Sequence, residues 1–314
     1  MGLGFIFPGQ GSQYVGMGKD LYENFPEARE IYEEAEERLG FNLKEISFFG
    51  PEEELRKTSV TQPAVLVHSI ACLVILQKRG IQPEIAFGHS LGEYTALYCA
   101  GVFDFPSVLK IVQRRGELMY REGEKNPGTM SAIVGLREDK VKEICQRIEG
   151  VVVPANYNAE DQIVISGEIL AVRKAEEEAK KAGAIKVIPL SVSGAFHSPL
   201  LKESGEEFKR FLLQFEFQDP KIPVIMNKSG KITRDKEEIK ENLLDQLNSP
   251  VLFTQMVKTA KENGYNEYWE IGPGRVLQGL VKRIDKEINV KTVGKKEEIE
   301  NLLKLSQDRD VKGS

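Results

Sequence analysis

Gly88-His89-Ser90-Leu91-Gly92 is the stretch whose residue types and spacing suit nucleophilic chemistry. It fits G-x-S-x-G, a pattern that sets a serine on a tight strand-to-helix turn with its hydroxyl exposed at the carboxyl end of a strand. A glycine two residues to either side removes the Cβ atoms that would hold strand and helix apart. The surroundings agree. Ile85-Ala86-Phe87 is a short apolar run after Pro83, and Leu91 to Ala100 reads as a helix stopped by Gly101. The same five residues could also be a chance glycine-rich turn, so Ser90 needs a base before it counts as a nucleophile.

The chain has 3 histidines. His89 adjoins the serine, and its side chain is expected to diverge from it. His68 lies among Val65, Leu66 and Val67 on an apolar helix and reads as a packed histidine. His197 remains, in Ser193-Gly194-Ala195-Phe196-His197-Ser198-Pro199, where a strand has ended and a helix is about to start. It follows the serine in chain order, as the base does in α/β-hydrolases. A hydrolase triad also wants an acid on a loop after a strand. Asp104, Asp139 and Asp161 are available, but none follows a convincing strand of the large domain. A backbone carbonyl can orient an imidazole instead.

Several elements must position these residues. Gly4-Phe5-Ile6-Phe7 reads as a buried strand running into Pro8-Gly9-Gln10-Gly11-Ser12-Gln13. The third glycine of a dinucleotide motif would fall at Tyr14, and no Walker lysine follows, so a nucleotide fold is not expected. These glycines instead let the backbone approach something closely and present its N–H groups. Residues 20–58 are charged and helical, with Tyr32, Ala35 and Leu39 on one face. Thr61-Gln62-Pro63-Ala64 opens an apolar helix with Pro63 in its first turn. Phe105 to Met119 reads as a helix carrying Arg114 and Arg115. Strands are expected at Met130–Val134, Val151–Ala155, Gln162–Ser166 and Ile185–Leu190, with helices at Glu138–Glu149 and Leu170–Ala182, and a turn at Asn156-Tyr157-Asn158. That β-α-β-β-α-β order is the split βαβ pattern of a ferredoxin-like unit. It predicts a subdomain at 127–196, inserted into an α/β catalytic domain made of 1–126 and 197–314. Further helices (200–213, 236–247, 251–263) follow, together with a strand at Val224-Ile225-Met226. Tyr268-Trp269-Glu270-Ile271 then runs as a strand into Gly272-Pro273-Gly274.

Composition narrows the function classes. With 314 residues, 41% hydrophobic and 29% charged, the chain can bury a sizeable core. A net charge of −5 leaves no basic excess for phosphates, so nucleic-acid binding is not expected. Cys72, Cys99 and Cys145 lack C-x-x-C spacing and read as thiols in a reducing compartment. Phe5-Ile6-Phe7 is too short for an export signal, and Ile6 argues against myristoylation at Gly2. The apolar run Ala64 to Leu76 is too short to span a bilayer. The expectation is a cytoplasmic protein with no membrane partner, no metal and no cofactor.

Gly9-Gln10-Gly11-Ser12-Gln13, Gly88-His89-Ser90-Leu91-Gly92-Glu93, Arg115-Gly116, Ala195-Phe196-His197 and Ile271-Gly272-Pro273-Gly274 occur in order along nearly the whole chain. Together they resemble the malonyl-CoA:acyl carrier protein transacylases. The resemblance implies an α/β-hydrolase-like large domain with an inserted ferredoxin-like subdomain, and malonyl-CoA and acyl carrier protein as partners in fatty acid synthesis. It further implies Ser90 as nucleophile, His197 as general base, and the N–H groups of Gln10 and Leu91 as the oxyanion hole. Arg115 would hold the malonyl carboxylate, and the main-chain carbonyl of Gln246 would orient His197. Phe196 and Leu91 match the malonyl-type members. Gln62 and Asn158 match pocket positions, though structural hydrogen bonding explains them equally well. Tyr120 and Gly194 depart from common family residues, glutamine and histidine respectively. The basic cluster Lys282, Arg283 and Lys286 could meet an acidic partner or be a solvated helix face. Two other readings stay open: a serine hydrolase or thioesterase with the same elbow, and a non-catalytic acyl-binding or carrier-docking module.

Overall fold

The computed structural model describes residues 2–312. Its larger sheet has strands β1 (Gly2–Phe7), β2 (Ile85–Gly88), β7 (Val224–Ile225), β8 (Ile232–Thr233), β9 (Tyr265–Ile271) and β10 (Asn289–Val293), in the order β10-β9-β1-β2-β7-β8. All neighbours are parallel except the β7–β8 hairpin. Parallel strands joined by helical crossovers are covered on both faces, which is why β1 and β2 read as unbroken apolar runs. Alternate residues enter separate cores. Phe5, Phe7, Ala86 and Trp269 belong to one cluster, and Ile6, Ile85, Phe87 and Tyr268 to the other. The chain leaves β1 toward β2 on one side and returns at β9 on the other. A crevice therefore opens at the carboxyl ends of β1 and β2, where α/β sheets bind ligands.

Between Gly128 and Pro189 the elements run β3 (Gly128–Val134), helix Glu138–Arg147, β4 (Val152–Ala159), β5 (Gln162–Glu168), helix Ile169–Lys181 and β6 (Lys186–Pro189). These strands form a separate antiparallel sheet ordered β4-β5-β3-β6. One face buries Ile133, Ile163 and Ile165 against Val141, Ile144 and Val172 of the two helices. The other face sends Met130, Ala132, Ala155 and Val164 into the main core. Position-2 alternation thus turns this sheet's second face toward the crevice.

Some local expectations are corrected. Asn156-Tyr157-Asn158 is part of β4 and not a turn; the chain reverses after Ala159. Irregularities of register let β4 continue, and the Tyr157 N–H donates to the Val251 carbonyl (2.8 Å) while the Val251 N–H donates to Ala155 (2.9 Å). The apolar helix starts at Thr58 and runs to Gln77, so Pro63 is an interior residue. Its first turn is fixed by the N–H of Thr61 donating to the Lys57 carbonyl (2.7 Å) and by the Thr61 hydroxyl donating to Leu55 (2.5 Å). At 20 residues this helix is long and apolar enough to cross a bilayer, contrary to the shorter run read from sequence. It is instead almost wholly buried as the central helix of the core. The short strand β8 and the edge strand β10 were not anticipated. Cys72, Cys99 and Cys145 are unpaired thiols.

Candidate active site

The Ser90 turn depends on glycine at both flanks. A Cβ on Gly88 would lie 2.2 Å from the Gly92 backbone, and a Cβ on Gly92 would lie 2.0 Å from the Phe7 carbonyl oxygen. Neither distance is tolerable, so the helix Gly92–Cys99 sits against β1 and β2 only because both side chains are absent. Ser90 itself has φ 51° and His197 φ 56°, the two non-glycine residues with positive φ among the described residues. Such conformations cost about 1–3 kcal/mol each and survive where the surroundings over-determine them.

The surroundings of Ser90 do so. Its N–H donates to Asn227 Oδ1 (2.7 Å), and its carbonyl accepts from Gln246 Nε2 (2.8 Å). Its Oγ lies 2.7 Å from His197 Nε2 and accepts from Arg115 Nη2 at 3.0 Å. His197 is buried, and its Nδ1 faces two carbonyls, Gln246 at 3.1 Å and Ser249 at 3.0 Å. Carbonyls only accept, so Nδ1 carries the proton and Nε2 offers its lone pair to the serine hydroxyl. Burial, then the charges of Arg115 and His89, push the His197 pKa down to about 3. The imidazole is therefore neutral at physiological pH and able to accept the serine proton. No acid is required to hold it.

Arg115 comes from the long helix Phe105–Lys125 and is fully buried. Gly116 allows this approach, since a Cβ there would meet the Thr58 carbonyl at 2.9 Å. The guanidinium donates to Gln62 Oε1 (2.9 Å) and Gln246 Oε1 (3.0 Å from Nη2), and sits 5.3 Å from the centroid of the Tyr94 ring. All these acceptors are neutral. Glu93 lies nearby, but its two oxygens accept from the Asn227 N–H (2.6 Å) and Gln246 Nε2 (2.7 Å). Burial pushes the Glu93 pKa up to about 7, against those hydrogen bonds and the Arg115 charge. Burial likewise pulls the Arg115 pKa below its ordinary value. A buried cation surrounded by neutral acceptors and 3.0 Å from a serine hydroxyl has the charge and geometry to pair with an anionic group.

The remaining expected residues fall around this centre. Leu91 is buried, and neither its N–H nor that of Gln10 donates to another group of the described residues. Gln10 follows β1, and its loop touches the elbow: a Cβ on Gly9 would lie 2.5 Å from the His89 carbonyl oxygen. The Gln10 side chain donates to Thr58 Oγ1 at 3.2 Å. His89 diverges from Ser90, its Nε2 lying 2.8 Å from Asn158 Oδ1, so Asn158 couples the smaller sheet to the elbow. Gln10, His89 and Asn158 share a cleft of about 400 Å³ with Ala132, Val164 and Leu190. Phe196 is buried next to His197. Gly123 lets the loop of Gly194 press against the Arg115 helix, since a Cβ on Gly123 would meet the Ser193 carbonyl oxygen at 2.1 Å, while a Cβ on Gly194 would lie 3.2 Å from its nearest neighbours. Tyr120 is half-exposed, and the Glu124 carboxylate beside it raises its pKa. His68 is packed in the core, 3.3 Å from the Tyr32 hydroxyl. Arg283 of the basic cluster is held bidentately by Asp161 at 2.7 and 2.8 Å. A larger concavity, about 1020 Å³, is lined by Arg137, Lys142, Asp161 and Lys258 and includes none of the residues around Ser90. Among the described residues no cluster of three or more His, Cys, Asp or Glu is placed to hold a metal ion.

Asn227, Ser249 and the Gln246 side chain lie outside the residues expected at the site, and Glu93 was expected there only as part of the elbow motif. Glu93 carried a signal: a carboxylate at the start of the apolar stretch Tyr94-Thr95-Ala96-Leu97 has to be buried with partners. Asn227 follows β7 at its carboxyl end, as Ser90 follows β2.

Residues 4–309 match the family model of the acyl transferase domain. A malonyl CoA-acyl carrier protein transacylase of Bacillus subtilis (strain 168) is 42% identical over 312 residues, covering 98% of each chain. The crystal structure of an acyl carrier protein S-malonyltransferase from Vibrio cholerae superposes with TM-score 0.91 at 40% identity, covering 96% of this chain and 100% of that one. A malonyl-transacylase solved in complex with its type II PKS acyl-carrier protein gives TM-score 0.92 at 39% identity, covering 95% and 98%. With its elbow serine, buried arginine and carbonyl-held histidine, the chain belongs to the malonyl-CoA:acyl carrier protein transacylase family of acyltransferases.

Proposed function

We propose that this protein transfers the malonyl group of malonyl-CoA to the phosphopantetheine thiol of acyl carrier protein through an ester on Ser90, supplying fatty acid synthesis. The observation that carries the reading is Arg115: fully buried, bonded to neutral acceptors, with Nη2 3.0 Å from the Ser90 hydroxyl. A malonyl carboxylate supplies the missing negative charge and matches the guanidinium fork bidentately.

The reaction follows from the proton and charge positions. His197 Nε2 takes the Ser90 proton as Oγ attacks the thioester carbonyl. Negative charge then develops on the carbonyl oxygen, where the free N–H groups of Gln10 and Leu91 serve as donors. Losing one such donor typically costs about 3–4 kcal/mol. The tetrahedral intermediate collapses, the carbon–sulfur bond breaks, and His197 gives its proton to the departing sulfur, so coenzyme A leaves as the thiol and His197 is neutral again. The carrier thiol then gives its proton to His197 as its sulfur attacks the serine ester, and His197 returns that proton to Ser90 Oγ as the carbon–oxygen bond breaks. Gln246 and Ser249 carbonyls hold the imidazole through both half-reactions. Gln62 keeps the guanidinium in place, and Phe196 and Leu91 supply bulk against an α-branched acyl group.

The architecture supports residues 127–196 as a ferredoxin-like subdomain inserted into an α/β-hydrolase-like catalytic domain formed by 1–126 and 197–314. The strand order β4-β5-β3-β6 and the β-α-β-β-α-β succession favour that assignment. The free thiols favour a cytoplasmic location.

Product partition tests the function. With malonyl-CoA and phosphopantetheinylated acyl carrier protein, malonyl should appear on the carrier, and Ser90→Ala should abolish this. Release of the acyl group as free malonate with no transfer would favour a serine hydrolase instead.

A further inference from the structure

Glu93 carries no part of the acyl-transfer steps, yet it is 2% exposed and both its oxygens are committed inside the site. Oε1 accepts from the Asn227 N–H at 2.6 Å, and Oε2 accepts from Gln246 Nε2 at 2.7 Å. These two residues are the ones that hold the Ser90 peptide. Asn227 accepts the Ser90 N–H through Oδ1 at 2.7 Å and donates through Nδ2 to the Gly88 carbonyl at 2.7 Å. Gln246 donates to the Ser90 carbonyl at 2.8 Å. The strained nucleophile turn is thus gripped at its N–H and its C=O by two side chains that converge on one carboxylate.

The polarity of this arrangement has a consequence for Arg115. With both of its oxygens accepting, Glu93 presents an acceptor and no donor to Gln246. It therefore turns the Gln246 NH2 group toward itself and leaves Gln246 Oε1 on the opposite side. There Oε1 accepts from Arg115 Nη2 (3.0 Å) and Nε (3.3 Å), and from the Tyr94 hydroxyl (3.3 Å). We infer that Glu93 is a positioning residue for acyl-group selection: it fixes the Gln246 amide so that its oxygen aims the Arg115 guanidinium at the acid end of the substrate. This rests on the malonyl-transfer reading and adds to it a residue that touches neither substrate nor the reacting atoms.

Glu93→Gln is the diagnostic variant because it keeps shape and removes acceptor capacity. A glutamine has one oxygen for two donors, Asn227 N–H and Gln246 Nε2, and its own NH2 favours the flipped Gln246 amide, with donors facing Arg115. Loading of Ser90 from malonyl-CoA and from acetyl-CoA, which lacks a carboxylate, is followed by intact mass on the full chain. Thermal unfolding is recorded alongside. The expected result is a fall of about tenfold in the malonyl-to-acetyl ratio of kcat/KM, expressed mainly in KM for malonyl-CoA, which is about 1.4 kcal/mol of discrimination. A ratio unchanged within twofold, with wild-type loading intact, overturns the inference while leaving the malonyl reading standing. An unaltered protein that takes no malonyl on Ser90 refutes the reading itself, and the inference with it. Should Glu93→Gln fail to fold, side-chain amide NMR of the unaltered protein decides. A Gln246 NH2 group protected from exchange supports the inference, and one exchanging like a solvated amide overturns it.

Discussion

Replacing Arg115 by methionine removes the guanidinium while retaining much of its volume, and the structure sets the size of the effect. Arg115 is fully buried, and its bonds run to Gln62, Gln246 and Ser90, all uncharged. The charge is thus uncompensated by any direct partner until a carboxylate enters. Truncating one partner of a buried, hydrogen-bonded charge pair costs about 2–5 kcal/mol, which is roughly 30-fold to several thousand-fold in kcat/KM for malonyl-CoA. Acetyl-CoA presents no carboxylate, so its loading loses only the Arg115–Ser90 contact. The malonyl-to-acetyl ratio is therefore predicted to fall at least about 30-fold. The protein should still fold: Gln62 and Gln246 each lose a donor, but a desolvated cation is removed at the same time. Mass-resolved acyl loading at several concentrations of each thioester gives the ratio. Equal losses with the two substrates would refute the assignment of Arg115 to the malonyl carboxylate.

Gly9→Ala should slow Ser90 acylation without unfolding the protein. Its Cβ would lie 2.5 Å from the His89 carbonyl, forcing the Gln10 loop away from the elbow. Loss of that one oxyanion donor predicts about 10²–10³-fold in kcat, and a kcat within a few-fold of wild type would remove Gln10 N–H from the mechanism. His68 predicts a pH effect on stability, separable by the variant His68→Gln. Burial pushes the His68 pKa down to about 4 from 6.5, so between those values the unfolded chain binds a proton that the native state refuses. Stability owed to the neutral histidine is present above pH 6.5 and is lost as pH falls toward 4, by up to about 1.4 kcal/mol per pH unit. Denaturant unfolding at pH 7, 6 and 5 should therefore show His68→Gln gaining on wild type as pH falls. A pH-independent difference would contradict this.

The elbow was legible in the sequence because its constraints are local. Gly88 and Gly92 are required by backbone contacts within the strand–turn–helix itself and with the adjacent strand β1. Apolar runs likewise marked β1, β2 and all four strands of the smaller sheet, though not the full length of β4. The side-chain network around Ser90 was not legible, because its members come together only in the fold. Asn227, Gln246 and Ser249 lie more than a hundred residues from Ser90, and no spacing rule connects a glutamine amide to a distant arginine. Glu93 was visible as a residue, but its burial and its partners on other elements were not. Asn156-Tyr157-Asn158 failed for a related reason. Asparagines favour turns in isolation, but pairing with Val251 and with β5 keeps this stretch extended. It is that extension which carries Asn158 to His89.

The central claim is that Ser90 carries the malonyl group between two thiols. Incubation with malonyl-CoA in the absence of carrier, followed by intact mass and peptide mapping, tests it most directly. The account predicts one malonyl per chain, located on Ser90, discharged when carrier thiol is added and absent from Ser90→Ala. An adduct that forms elsewhere, persists in Ser90→Ala, or fails to leave on addition of carrier would contradict it.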